Sequence, residues 1–181
     1  MKALLAALFA VTVAACGQGR AIFNVDVYSF LAGTGKDTVP YIIPPNATDS
    51  ASTFQRISLP PGFGSSLVES ATLTGAGELR NTAGTGTLGF RIYIAADSAS
   101  TLDSATAFAF GTSNASVSPA SVTPITMSGG LTPAVLNTFT RPNVWIRIVA
   151  RGQNASLINP VSGKMVLTAL DLRVVVQDKL F

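Results

Sequence analysis

Thr87-Leu88-Gly89-Phe90-Arg91-Ile92-Tyr93-Ile94-Ala95 is the stretch whose reading decides the fold. Leu88, Phe90, Ile92 and Ile94 recur at every second position, with Arg91 and Tyr93 between them. A helix would space its apolar residues by three and four; alternation marks a strand with one face in a core. Asn143–Arg151 repeats the pattern, with Val144, Ile146 and Ile148 on one side and Trp145, Arg147 and Arg151 on the other. Lys164–Gln177 is the longest such segment, and Val166, Leu170, Leu172, Val174 and Val176 are expected to face inward. Ala21–Leu31 reads as a long first strand through Phe23, Val25 and Val27, broken by Gly33-Thr34-Gly35.

Between these lie shorter strand candidates: Tyr41–Ile43, Gln55–Leu59 stopped by Pro60-Pro61-Gly62, Thr106–Phe110, Val122–Met127 and Val135–Thr140. Leu67–Thr74 and Glu78–Asn81 read as a hairpin across Gly75-Ala76-Gly77. Helical spacing is scarce, with Asp97–Ala105 the best short candidate. Many short strands punctuated by Gly, Pro and Ser predict an all-β fold, an antiparallel β-sandwich of jelly-roll-like form. The long first and last strands are expected to pair, and residues 21–181 to form one domain. A transmembrane barrel closing at Phe181 fits poorly, because Lys179, Gln177 and Arg173 would fall on its lipid face.

Composition narrows the function. The chain has 181 residues, 48% hydrophobic and 12% charged, with a net charge of +3. The four Lys and eight Arg are scattered, so no stripe suited to tracking phosphates exists and nucleic acid is not expected as a partner. There is one Cys and no His. An internal disulfide and every Ser-His, Cys-His or Zn-His site are therefore excluded. The nine acidic residues form no local cluster, so no carboxylate pair is singled out for hydrolysis. An enzyme is not expected, nor a cofactor or a metal; Asp97 and Asp103 flank a Ser-rich loop that reads as solvated.

The N-terminus reads Met1-Lys2, then an apolar run from Ala3 to Val13. One charge ahead of a short apolar stretch is the pattern of a secretory signal, too short for a membrane span of about 20 residues. It ends in Val13-Ala14-Ala15-Cys16. This resembles the lipobox of bacterial lipoproteins, an aliphatic residue and two small ones before Cys. The resemblance covers the first sixteen residues and implies that segment 1–15 is removed and that Cys16 carries the lipid. It also implies anchorage in the cell envelope, with residues 16–20 as a short tether. Gly17, where Asp often signals inner-membrane retention in that family, favours the outer membrane in a two-membrane cell.

Several motifs match only in part. Gly84-Thr85-Gly86-Thr87-Leu88-Gly89 fits GxGxxG but precedes a strand instead of opening a helix, so it reads as a hairpin turn. Gly33-Thr34-Gly35-Lys36-Asp37 shares only the end of a P-loop, with Phe30 where the first Gly belongs and Asp37 where Ser or Thr belongs. Asn46-Ala47-Thr48, Asn114-Ala115-Ser116 and Asn154-Ala155-Ser156 fit the N-glycosylation pattern, which small polar loops generate readily. The one constellation worth testing is aromatic and cationic: Tyr93 and Arg91 on one strand face, Trp145 and Arg147 on another. Were those strands neighbours, rings and guanidinium groups would share a surface able to stack on sugars. A cross-strand ladder that merely supports the sheet is the plainer alternative. The sequence thus predicts a lipid-anchored envelope protein with a structural or interaction-mediating sandwich, its partner an envelope protein or a polysaccharide.

Overall fold

The computed structural model describes residues 20–59, 67–103, 108–131 and 137–177. The signal segment, Cys16, the Pro60-Pro61-Gly62 break and the starts of the Thr106–Phe110 and Val135–Thr140 candidates lie outside them. Nine strands and one short helix follow in order: β1 (Arg20–Asp26), α1 (Val27–Ala32), β2 (Thr38–Ile43), β3 (Ala47–Ser58), β4 (Leu67–Ala83), β5 (Gly86–Ala95), β6 (Phe108–Val117), β7 (Ser121–Gly130), β8 (Asn143–Asn154) and β9 (Val161–Gln177).

All pairings are antiparallel and form two sheets. One has the order β1-β9-β4-β7, with β2 also on β9; the other has the order β3-β8-β5-β6. β4 runs along one side of β9, so β1 and β2 share the other side, β1 against Asp171–Gln177 and β2 against Val161–Val166. Together β1 and β2 act as one edge strand interrupted by α1. With that strand counted once, eight strands lie in two four-stranded sheets, the arrangement of a jelly roll. Leu88, Phe90, Ile92 and Ile94 meet Val144, Ile146 and Ile148, then Leu73, Leu79, Met165, Leu167, Leu170 and Val174, in one core between the sheets.

Several expectations need correcting. The first strand ends at Asp26, not Leu31. The Asp26 carboxylate accepts the Ser29 N–H at 3.1 Å and caps α1, which buries Val27 and Leu31, four apart, as a helix requires. Gly75-Ala76-Gly77 is not a turn; β4 runs straight through it. There a Cβ on Gly77 would lie 2.8 Å from the Val166 carbonyl, so the glycine admits a close approach of β9, and the register shifts at the same place. That irregularity also reverses the faces of β9. Met165 and Leu167 are inward before it, Leu170, Leu172, Val174 and Val176 after it, and Val166 is not among them. Finally, Asn137–Thr140 is a 3₁₀ turn that buries Phe139 where a strand was expected; among the described residues of the Asp97–Ala105 candidate, Ser100–Leu102 forms a short 3₁₀ turn.

Two buried amides lock the crossings between sheets. Asn154 Nδ2 donates to the carbonyls of Ile43, Pro44 and Asn159 at 2.9–3.2 Å, and its Oδ1 accepts the Ser156 N–H. Asn81 Nδ2 donates to the carbonyls of Gly84 and Ser118, at the β4–β5 and β6–β7 crossings. Asn154 is thus a clamp inside the fold and not an accessible glycan acceptor. Gly84, at φ +76°, makes the tight turn into β5; the GxGxxG stretch does lead into a strand, but the turn crosses from one sheet to the other and is not the expected hairpin, because β4 and β5 do not pair.

Candidate functional site

β8 and β5 are neighbours, and their register makes Tyr93 and Arg147 direct partners. Arg91 stands opposite Val149, and Trp145 opposite Ala95. On the other side of β8, β3 places Phe54 opposite Arg147 and Arg56 opposite Trp145. Tyr93, Ala95 and Val149 form an apolar cluster of their own, separate from the main core. All these side chains belong to the outer face of the four-stranded sheet, because the intervening residues fill the core.

The candidates do not play equal parts. The Arg147 guanidinium carbon lies 4.7 Å from the Tyr93 ring centroid, a cation–π contact that covers the ring. Tyr93 is 9% exposed, so it supports the face but offers no stacking platform. Trp145 is half-buried, its ring 6.0 Å from that of Phe54 at an interplanar angle of 47°. Phe54 is 55% exposed and is the ring most open to solvent on this face. It escaped the sequence reading because the strand candidate starts at Gln55, eight residues after β3 begins at Ala47. The period-two relation of Phe54 and Arg56 to buried Ile57 was the available signal.

Beside the rings lies a basin of about 290 Å³, floored by Tyr93 and Val149 and walled by Arg147, Arg151, Thr48, Asp49 and Ser50. Among the described residues the ion pairs are Arg20–Glu69 and Arg80–Glu78, at 2.6 and 2.8 Å. Arg91, Arg147 and Arg151 have none. Arg147 Nε is buried without a hydrogen-bond partner. The Asp49 carboxylate accepts the Ser50 N–H at 2.7 Å.

A larger hollow of about 630 Å³ lies on the five-stranded sheet, along Tyr41, Arg80, Asn81 and Lys164. Its polar groups are largely engaged: the Tyr41 hydroxyl donates to Asn81 Oδ1 at 3.2 Å, and Arg80 pairs with Glu78. Asp97 is engaged as well. The Ser100 N–H and hydroxyl both donate to it at 2.8 Å and hold its carboxyl below the usual range. Among the described residues no three acidic, thiol or imidazole side chains are grouped to hold a metal, and no helix is long and apolar enough to cross a membrane.

Fold and face together define an antiparallel jelly-roll domain with an aromatic-cationic outer surface. No family model and no curated protein matches the chain. Among solved structures it is similar to one of infectious bursal disease virus, Gx strain, at 9% identity and a TM-score of 0.47, covering 90% of this chain and 38% of that one. A structure of the Gt strain gives 10% identity and a TM-score of 0.46, covering 90% and 37%. The chain therefore spans under two-fifths of the length of these structural neighbours.

Proposed function

We propose that this chain is a lipid-anchored protein of a bacterial cell envelope that acts by binding and not by catalysis, with the outer face of β3, β8 and β5 as its contact surface. The anchor rests on Val13-Ala14-Ala15-Cys16 and the segment ahead of it. The observation that supports a binding face is the row in which exposed Phe54, half-buried Trp145 and partnerless guanidinium groups lie together on strand-paired, rigid backbone. A purely supporting ladder would pair its charges and cover its largest ring. Carbohydrate is the favoured ligand class over an envelope protein, since a sugar offers C–H faces to rings and hydroxyls to arginines.

Trp145 is the chain's only tryptophan, so its fluorescence reports on this face alone. Titrating detergent-solubilised full chain with neutral and acidic polysaccharides should shift the emission, and Phe54→Ala should weaken the response at least fivefold. A silent Trp145 across the whole panel counts against the carbohydrate reading. Cys16→Ser should abolish fatty-acid labelling and release the protein from membranes; full retention of the variant after a carbonate wash would sink the anchor.

A further inference from the structure

We infer that the basin beside the aromatic pair is a subsite for the anionic group of an acidic sugar, a carboxylate or a sulfate ester. The inference rests on the carbohydrate reading above and names the sugar chemistry.

Arg147, Val149 and Arg151 share the outer face of β8, so the two arginines stand about 13 Å apart at their Cα atoms with the buried valine midway between them. Arg91, opposite Val149 on β5, adds a third cation to the same sheet face without lining the basin. At this spacing the two β8 arginines flank the basin from its two ends, and a carboxylate between them would be their ordinary partner. Here no carboxylate pairs with any of the three. The lone acid at the basin, Asp49, is turned to the Ser50 N–H. Arg147 is further constrained. Its guanidinium is fixed over Tyr93 with Nε buried and unsatisfied, so a donor is left without an acceptor in a rigid fork. An oxyanion in the basin would take the remaining guanidinium N–H groups of Arg147 and those of Arg151, and guanidinium binds carboxylate and sulfate in a bidentate manner.

Asp49 decides between classes of polyanion. A bare phosphodiester chain offers acceptors alone and would be repelled by this carboxylate. An acidic sugar offers an anion to the arginines and hydroxyl donors to Asp49 and Ser50. The basin's 290 Å³ lies at the lower end of small-ligand sites, which start near about 300 Å³, and suits one ring. The neighbouring ring of the polymer then falls on Phe54, register partner of Arg147.

The test is calorimetric titration of the full chain in detergent with polygalacturonate, dextran sulfate, uncharged dextran and single-stranded DNA of matched length. At least one acidic glycan should bind in a salt-sensitive manner, and dextran and DNA at least tenfold more weakly. The double variant R147Q/R151Q should lose at least tenfold in affinity. K164Q/R173Q, which removes the same charge from the other sheet, should stay within twofold of wild type. R151Q alone changes an exposed residue and should lose at least threefold with the melting temperature unchanged, which separates binding from folding. Retained affinity in R147Q/R151Q, an equal loss in K164Q/R173Q, equal binding of DNA, or no binding of either acidic glycan would each overturn the subsite. Preference for uncharged dextran with a responding Trp145 would overturn the subsite and leave the carbohydrate reading standing.

Discussion

Gly163 shows how one missing side chain sets up a buried polar contact. It lies opposite Tyr41 on β2 and opposite Asn81 on β4, so all three form one row across the sheet. A Cβ on Gly163 would sit 2.6 Å from Tyr41 Oη. Without it, the phenol reaches over β9 and donates to Asn81. Burial pushes the Tyr41 hydroxyl from 10.0 up to about 12. The sign follows directly: above pH 10 the unfolded chain releases this proton while the folded chain keeps it, so stability falls as pH rises from 10 to 12. A gap of that size is worth about 2–3 kcal/mol once complete. Tyr41→Phe should be less stable than wild type at pH 8 by about 1 kcal/mol, the lost hydrogen bond, and should lack this share of the alkaline decline. Denaturant melts from pH 8 to 12 check both; parallel pH profiles for the two proteins would refute the assignment. Nothing in the sequence pointed to this row, because its members lie in three segments far apart in the chain.

At the scale of elements, alternation was readable in β5 and β8, each of which keeps one face in the core along its length. β5 and β8 came out with their faces right for that reason. It failed where local chemistry outweighs period two. Asp26 both ends β1 and caps α1 through Ser29, a stop that alternation does not register, and Val27 and Leu31 fit both a strand and a helix by hydrophobicity alone. In β9 the bulge, invisible to any fixed period, moved Val166 off the inner face. The corners show the same limit. Asn154 looked like a loop residue in a glycosylation pattern, yet it ties the β2–β3 corner, through the carbonyls of Ile43 and Pro44, to the β8–β9 connection, through that of Asn159. Two N–H groups cannot serve three carbonyls fully, so the contacts to Ile43 and Pro44 are best regarded as shared. Asn154→Ala should leave these carbonyls without their donor at a cost of about 2–3 kcal/mol. Asn154→Asp should cost at least as much, because it also places a carboxylate against carbonyl oxygens. Chemical denaturation of both variants measures this; a loss below about 0.5 kcal/mol in each would show that the corner holds without its amide.

For the molecule as a whole, the candidate site was half legible: Arg91, Tyr93, Trp145 and Arg147 could be named from two amphipathic strands, but only the strand order shows that β3 completes the face with Phe54, Thr48 and Ser50. The same topology bears on where the domain sits if Cys16 holds the lipid. β1 begins at Arg20, whose guanidinium pairs with Glu69 at the start of β4, so residues 17–19 alone separate the anchor from the sheet. Four Cα steps span at most about 14 Å. The chain cannot readily lend more length, because unzipping β1 from β9 would pull on α1. Val27 and Leu31 there are fully buried, each worth about 1.5–3 kcal/mol. Phe23 and Val25, the apolar residues expected to hold this strand, are only partly covered, so α1 is the firmer hold. With that anchor the domain is expected to rest against the bilayer, and the proposed binding face to meet partners that approach the membrane surface. A dye on Asn24→Cys, an exposed β1 position eight residues from the anchor, should transfer energy efficiently to labelled lipid. A twelve-residue Gly/Ser spacer between Gly19 and Arg20, with a mean span of about 19 Å, should lower that efficiency clearly. Weak transfer in the unmodified protein would overturn the placement. Equal transfer with and without the spacer would show instead that the domain's own surface, and not its tether, keeps it at the membrane.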